Sequence, residues 1–200
     1  MTIAALAATS SYARWILCDD HATKILGELS WSDSQSTGLS NELMPSFQKL
    51  LSQAGVSRQE LTRLFVVSGP GAFTGLRMSS AFMQGLSRAL QIPCMGIPSF
   101  DLVGEPFCIP LRHQLAKNLS LSELKNAGIE LLELQSKEES LSVLEPQKTQ
   151  IVLGLKDCPD WPSPAQLLKG VQTGLQQRAG KPIKIIYGLE PKISGIRTKP

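Results

Sequence analysis

Ser68-Gly69-Pro70-Gly71-Ala72-Phe73-Thr74-Gly75-Leu76-Arg77 is the stretch that decides the fold of this 200-residue chain. It overlaps the end of an apolar run, Leu64 to Ser68, that predicts a buried strand, and it leads into apolar residues at helical spacing from about Gly75 to Leu90. Glycine permits positive φ and close backbone approach, and proline restricts the turn. The stretch therefore predicts a strand, a tight turn and a helix, with Thr74 as the helix N-cap.

The same turn could also hold an anion, because a glycine-rich loop before a helix places free backbone N–H groups at the helix N-terminus. No Lys-Ser or Lys-Thr pair follows the glycines, so the stretch is not a Walker A loop. Its glycine spacing also differs from the dinucleotide-binding fingerprint. We therefore favour a structural turn over a phosphate site, and assign that structural role to Gly69, Pro70, Gly71, Phe73, Thr74, Gly75 and Arg77.

The elements on both sides of this stretch follow one order along the chain. Three apolar runs, separated by polar turns, predict an antiparallel meander. Helices then alternate with strands, which is the requirement for parallel crossovers. This order is typical of one lobe of the actin-like, Hsp70-like (ASKHA) superfamily, an α/β fold with a mixed five-stranded sheet. The predicted strands are Ile3 to Ala7, Tyr12 to Cys18, Thr23 to Trp31, Leu64 to Ser68 and Cys94 to Ile97. The predicted helices are Asn41 to Ala54, a short one opened by the capping box at Ser57 to Glu60, and Gly75 to Leu90.

Beyond about Phe107 the periodicity weakens. We predict a strand at Ile151 to Leu155, a helix at Ala165 to Gln177 and a strand at Ile183 to Tyr187. The predicted organisation is an N-terminal actin-like lobe over residues 1–102 and a smaller, truncated or divergent second lobe over residues 103–200.

Composition narrows the class of protein. Apolar residues make up 42% of the chain and charged residues 18%, which favours a globular core. The net charge of +3 is too small to indicate a nucleic-acid-binding surface. The four cysteines form no C-x-x-C pair, and the sequence contains neither a signal peptide pattern nor an apolar run of the roughly 20 residues that a membrane helix needs. We expect a cytoplasmic protein with no membrane segment.

The helix after the glycine turn is apolar on two sides, which indicates burial on both. One side, made of Leu76, Ser80, Met83, Leu86 and Leu90, would cover the sheet. The other holds Met78, Ala81, Phe82, Gly85 and Ala89. The small residues spaced four apart would let another helix approach closely, and that helix is either the chain's own preceding helix or one from a partner protein.

The decisive stretch resembles the Gly-Pro-Gly-Ser-Phe-Thr-Gly-Leu-Arg signature of the TsaB (YeaZ) family, with Ala72 in place of the serine. Gly96 to Asp101 resembles the family's G-V-S-S-L-D segment. Asn41 to Pro45 resembles part of the family's H-S-E-x-L-L-P helix start, without the histidine. The resemblance covers roughly residues 3 to 102.

This resemblance implies a non-catalytic scaffold subunit in the formation of threonylcarbamoyladenosine in tRNA. Its implied partners are the transferase TsaD and the ATPase TsaE, with tRNA met only indirectly through the complex and a homodimer expected when the chain is alone. The family's dimer surface is built from its first two helices. The corresponding partner-binding residues here are Leu43, Phe47, Leu50, Met78, Ala81, Phe82, Gly85 and Ala89.

Catalysis by the chain itself is not expected. Actin-like ATPases use an aspartate after the first strand to organise Mg²⁺ and phosphates, whereas this chain has Ala8-Thr9-Ser10 there. His21 sits in a predicted turn, and Cys94 in a predicted core strand. We expect no catalytic residue, metal or cofactor. Two alternatives remain: a nucleotide-binding, sugar-kinase-like enzyme, or a homodimer with no TsaD role.

Overall fold

The computed structural model describes residues 1–8, 12–32, 38–69, 71, 73–102, 130–132, 150–152, 162–177, 183 and 185. The strands are β1 (Thr2–Ala7), β2 (Tyr12–Asp19), β3 (Ile25–Ser32), β4 (Leu61–Gly69), β5 (Cys94–Pro98), β6 (Glu130–Leu132) and β7 (Gln150–Val152). The α-helices are α1 (Gly38–Ala54), α2 (Phe73–Leu90) and α3 (Pro164–Gln177), and two short 3-10 helices lie at Arg58–Glu60 and Ser99–Leu102. Within these residues, no helix is both long enough and apolar enough to cross a bilayer.

The main sheet has five strands in the order β3-β2-β1-β4-β5. The pairs β1–β2 and β2–β3 are antiparallel, which confirms the predicted meander. The pairs β1–β4 and β4–β5 are parallel, because α1 and α2 carry the chain back between them. The predicted mixed five-stranded sheet is therefore present, and the glycine turn lies at the carboxyl end of β4.

Three local predictions differ from the structure. The helix after the turn begins at Phe73, so Thr74 lies inside its first turn and is not the N-cap. The segment opened by Ser57 is a single 3-10 turn, although its capping box is present and Glu60 accepts the Ser57 N–H at 2.7 Å. Ile183 and Ile185, the described part of the predicted last strand, lie outside any strand. Packing, which propensity does not encode, decides such boundaries.

The tight turn between β2 and β3 is held by Asp19. Its carboxylate accepts the backbone N–H groups of Lys24 and Thr23 and the Thr23 hydroxyl, each at 2.7 Å. These hydrogen bonds, that of Lys24 first, lower the pKa of Asp19 below its usual value. The acidic turn is thus structural, as predicted, and the side chain of His21 is exposed beside it.

One face of the sheet is covered by α1 and α2. The core on this side contains large buried residues from both helices and from three strands, β1, β2 and β4. Its central members are Leu6, Trp15, Leu17, Phe47, Leu50, Leu64, Val66 and Met83. Because side chains alternate along a strand, the neighbouring residues point to the opposite face and need a second cover.

That second cover is α3. Leu167 and Val171 are fully buried, and a β-carbon on Gly174 would lie 2.7 Å from the Phe65 ring on β4. The Gln172 side chain donates to the Ala22 carbonyl at 2.7 Å. The helix predicted within the second lobe therefore packs on the sheet of the first.

Candidate functional site: the exposed face of α2

The glycine turn is a constrained link between β4 and α2. Gly69 is buried with φ of 102°, a conformation that side-chain-bearing residues rarely adopt. Gly71 is also buried, whereas Pro70 and Ala72 lie outside the described residues. The requirement for glycine at position 69 is thus conformational, in agreement with the predicted structural role.

Gly75 is required by a different contact. A β-carbon there would overlap the Ala8 carbonyl oxygen and lie 3.2 Å from the Ala8 carbonyl carbon. The close approach expected of a glycine in this stretch is therefore made to the end of β1. Ala8 itself is 2% exposed, and Thr9 and Ser10 lie outside the described residues.

Trp15 ties the two helices to the sheet. Its ring centroid lies 5.2 Å from that of Phe47 on α1 and 6.1 Å from that of Phe82 on α2. Its indole N–H donates to the Ser46 hydroxyl at 3.0 Å, and that hydroxyl donates to the Leu43 carbonyl at 3.0 Å. Since both polar groups are buried and paired, the contact sets the position of α1 relative to α2.

The partner-binding residues predicted on α1 are internal. Leu43, Phe47 and Leu50 are between 0% and 3% exposed, so their side chains are not available to another protein. They were grouped by helical spacing, which identifies an apolar stripe without saying what covers it. The large apolar residue that α1 exposes instead is Met44, at 42%, which lies about 100° around the helix from Leu43.

The residues predicted on α2 divide into two groups. Met78 and Phe82 are half-buried and pack against the core beneath the helix pair. Ala81, Gly85 and Ala89 are exposed. A β-carbon on Gly85 would meet no atom within 4 Å, so packing against the described residues does not require glycine at this position.

A groove of about 460 Å³ runs along the flank of this stripe. Its lining comprises Arg77, Ser80, Ala81, Gln84, Gly85, Arg88 and Ile185. The guanidinium of Arg77 lies 5.2 Å from the centroid of the Phe73 ring. The sequence placed Arg77 in the structural motif and Ser80 on the side of the helix that covers the sheet, and it assigned no role to Gln84, Arg88 or Ile185. Gln84 and Arg88 are polar residues in an otherwise mostly apolar helix, and this was the sequence signal that they face outward. Nothing in the local sequence indicated that Ile185 lies near them.

The two described cysteines are poor nucleophiles. Burial, and to a smaller extent the neighbouring Asp19 carboxylate, raise the pKa of the Cys18 thiol to about 12. Burial likewise raises the pKa of Cys94 to about 12. Both thiols are therefore protonated at neutral pH, and a thiolate is the reactive form.

Comparison with known proteins finds relatives of part of the chain. The family described as TsaD, tRNA N6-adenosine threonylcarbamoyltransferase, matches residues 33–114. The tRNA threonylcarbamoyladenosine biosynthesis protein TsaB of Buchnera aphidicola (subspecies Schizaphis graminum) is 33% identical over 64 residues, 32% of this chain and 30% of that protein. TsaB of Escherichia coli K12 is 28% identical over 90 residues, 41% of this chain and 39% of that protein.

A solved structure, YeaZ from Pseudomonas aeruginosa, is 27% identical with a TM-score of 0.45, covering 50% of this chain and 45% of that one. Each match thus spans less than half the length of the relative concerned.

Proposed function

We propose that this chain, which belongs to the TsaB (YeaZ) family over the part that these relatives match, is a non-catalytic subunit that binds TsaD and supports formation of threonylcarbamoyladenosine in tRNA. The observation that carries the proposal is the exposed stripe of Ala81, Gly85 and Ala89 on α2. Small residues four apart allow two helix backbones to approach closely, and the described part of the chain leaves that approach open.

The surroundings of the stripe suit a protein partner. Phe82 and Met78 are half-buried beside it, and on α1 Met44 is 42% exposed. Helix-on-helix contacts use apolar residues of this kind around a small-residue contact point. The rigid support that Trp15 provides through Phe47 and Phe82 would present both helices without a large rearrangement.

A supporting role without catalysis agrees with the residues at the end of β1. Ala8 stands where actin-like ATPases place an aspartate for Mg²⁺, and it is buried against Gly75. The sequence has only two histidines, His21 and His113, and lacks the H-x-x-x-H metal site of TsaD. The family-level match to the transferase is therefore better explained by the lobe that the two families share.

The test is replacement of TsaB in a bacterial strain depleted of its own protein, with modified adenosine in tRNA measured by mass spectrometry. We expect this chain to restore the modification when supplied together with the TsaD of its own genome, and to co-purify with that TsaD. A failure of both restoration and co-purification would contradict the proposal.

Calorimetry on the isolated chain addresses the enzymatic alternative. We expect no Mg²⁺-dependent ATP binding, since the carboxylate that would organise the metal is absent from position 8. Tight Mg²⁺-dependent binding would favour a nucleotide-handling enzyme instead.

A further inference from the structure

The outer edge of β3 is unpaired within the described part of the chain. β3 is the end strand of the five-stranded sheet and is hydrogen-bonded to β2 on one side. A free edge presents backbone N–H and C=O groups with which another strand can pair, and natural edge strands are commonly protected by lysine, proline or short length. β3 runs over eight residues, Ile25–Ser32, and contains neither lysine nor proline. Its edge is therefore open to the addition of a strand.

The two faces of β3 have different surroundings. Leu29 and Trp31 pack against the core that lies under α1 and α2. Leu26, Glu28 and Ser30 alternate with them and are exposed on the opposite face of the sheet. Glu28 is the only charged residue of the strand. The charge at this position is thus the feature of β3 that discriminates between registers of pairing.

A second copy of the chain can add to this edge in two registers that use most of the strand. A two-fold contact that joins two sheets through the same edge strand is antiparallel, and residues opposite each other share a face, so its centre falls on a residue. A pairing centred on Glu28 places two carboxylates directly opposite each other, which opposes association. A pairing centred on Leu29 uses Leu26–Ser32 and places Glu28 opposite Ser30 of the second copy. Charge therefore selects the register centred on Leu29.

The Leu29-centred register also brings Glu28 near an arginine of the second copy. On β2, Arg14 lies opposite Ser30 and is half-buried on the same face of the sheet. Glu28 of one copy and Arg14 of the other would be two strand spacings apart, about 10 Å between backbones, which two long side chains can span across the small Ser30. Among the described residues, neither Glu28 nor Arg14 forms an ion pair within its own chain. The two-fold axis makes the contact between copies twice.

We propose that the chain self-associates edge to edge through β3, in the register centred on Leu29, with two Glu28–Arg14 contacts joining the two sheets into one. This surface is separate from the exposed face of α2, and pairing through it does not depend on the proposed function. One pair of strands buries less area than most stable dimers do, so the association is concentration-dependent and sensitive to the charges beside the axis.

Complementary charge variants test the contact. Every form carries Gly85→Arg, which closes the exposed stripe of α2 to pairing, and dissociation constants are measured by sedimentation equilibrium. Glu28→Lys and Arg14→Glu should each weaken self-association at least fivefold, because like charges then meet across the axis. Mixed in equal amounts, the two variants should pair with each other about as tightly as the parent chain pairs with itself, since each position again faces the opposite charge.

Glu42→Lys and Arg58→Glu are the matched controls, because they make the same changes of charge outside β3. They should leave self-association unchanged, alone and mixed, and urea unfolding midpoints identify any variant that fails to fold. A parent chain that stays monomeric at millimolar concentration would overturn the proposal. So would a mixture of Glu28→Lys and Arg14→Glu that pairs no more tightly than either variant alone.

Hydrogen exchange on the parent chain provides a test that needs no charge variant. Alternate amides of Leu26–Ser32 point to the free edge, and they should exchange at least tenfold more slowly at a concentration where the dimer dominates than in dilute solution. The amides of α2 should show no such change. Association that leaves the exchange of β3 unaltered would place the contact on another surface and overturn the proposal.

Discussion

The first turn of α2 lies so close to the end of β1 that a β-carbon on Gly75 would overlap the carbonyl oxygen of Ala8. The two residues belong to different layers of the fold, one in the helix that follows the glycine turn and one at the carboxyl end of the central strand. Their contact fixes the depth at which α2 starts over the sheet, and with it the position of the exposed stripe further along the same helix.

Replacing Gly75 by alanine should destabilise the protein by about 1–3 kcal/mol, because the opposing atoms are backbone and cannot move away as a side chain would. Urea denaturation measures the change. Gly85→Ala on the same helix is the matched control, since it meets nothing within 4 Å and should stabilise by about 0.5–1 kcal/mol. Equal effects of the two substitutions would contradict the contact.

Ser46→Ala should cost about 1–3 kcal/mol of stability, since it leaves the Trp15 indole N–H buried without an acceptor. Trp15→Phe removes the donor as well as part of the packing. In the double variant the loss should be smaller than the sum of the single losses, because the hydrogen bond can be lost only once. Additive losses in thermal or urea unfolding would show that the pair is not coupled.

Gly85→Arg and Ala81→Arg should abolish co-purification with TsaD while leaving the unfolding midpoint near that of the wild type. Both positions are exposed, so the arginine side chain blocks the approach of a partner helix without disturbing the core. Ser30→Arg, at an exposed position on edge strand β3, is the control and should retain binding. Unchanged pairing of the α2 variants would remove the interface assignment.

Stability should fall at alkaline pH through two thiols, those of the buried Cys18 and the half-buried Cys94. Their pKa is raised from 9.0 to about 12 in the folded protein, so the unfolded chain ionises first. The folded state therefore keeps its full advantage below pH 9 and loses it progressively as the pH rises toward 12. Urea unfolding at a series of pH values should show a shallower decline for Cys94→Ala than for wild type, and parallel curves would contradict burial of that thiol.

The packing of α3 against the sheet predicts that Gly174→Ala is destabilising. The added methyl group would lie 2.7 Å from the Phe65 ring, which is itself fully buried. A loss of about 1–3 kcal/mol is expected in urea unfolding. The exposed position Gln176, replaced by alanine, serves as the control on the same helix, and a similar loss there would argue against docking of this face.

The local sequence pattern was sufficient to predict the order of the strands and helices. The meander, the two crossover helices and the five strands were predictable because period-two and period-3.6 patterns and turn residues act over a few neighbours. The structural role of the glycine turn could be predicted from the sequence for the same reason. Thr74 shows the limit: capping preference is local, but the point at which α2 begins depends on how the turn closes against Ala8.

The sequence by itself determined that α2 has two apolar sides and that one of them includes small residues four apart. Only the tertiary structure decided that Leu43, Phe47 and Leu50 fill the core while Ala81, Gly85 and Ala89 stay exposed. It also placed α3 on the far face of the sheet and put Arg77 and Arg88 on the wall of one groove, where neither forms an ion pair among the described residues. The physical reason is that periodicity specifies which residues share a face, whereas burial and charge pairing depend on segments far apart in the chain that meet only after folding.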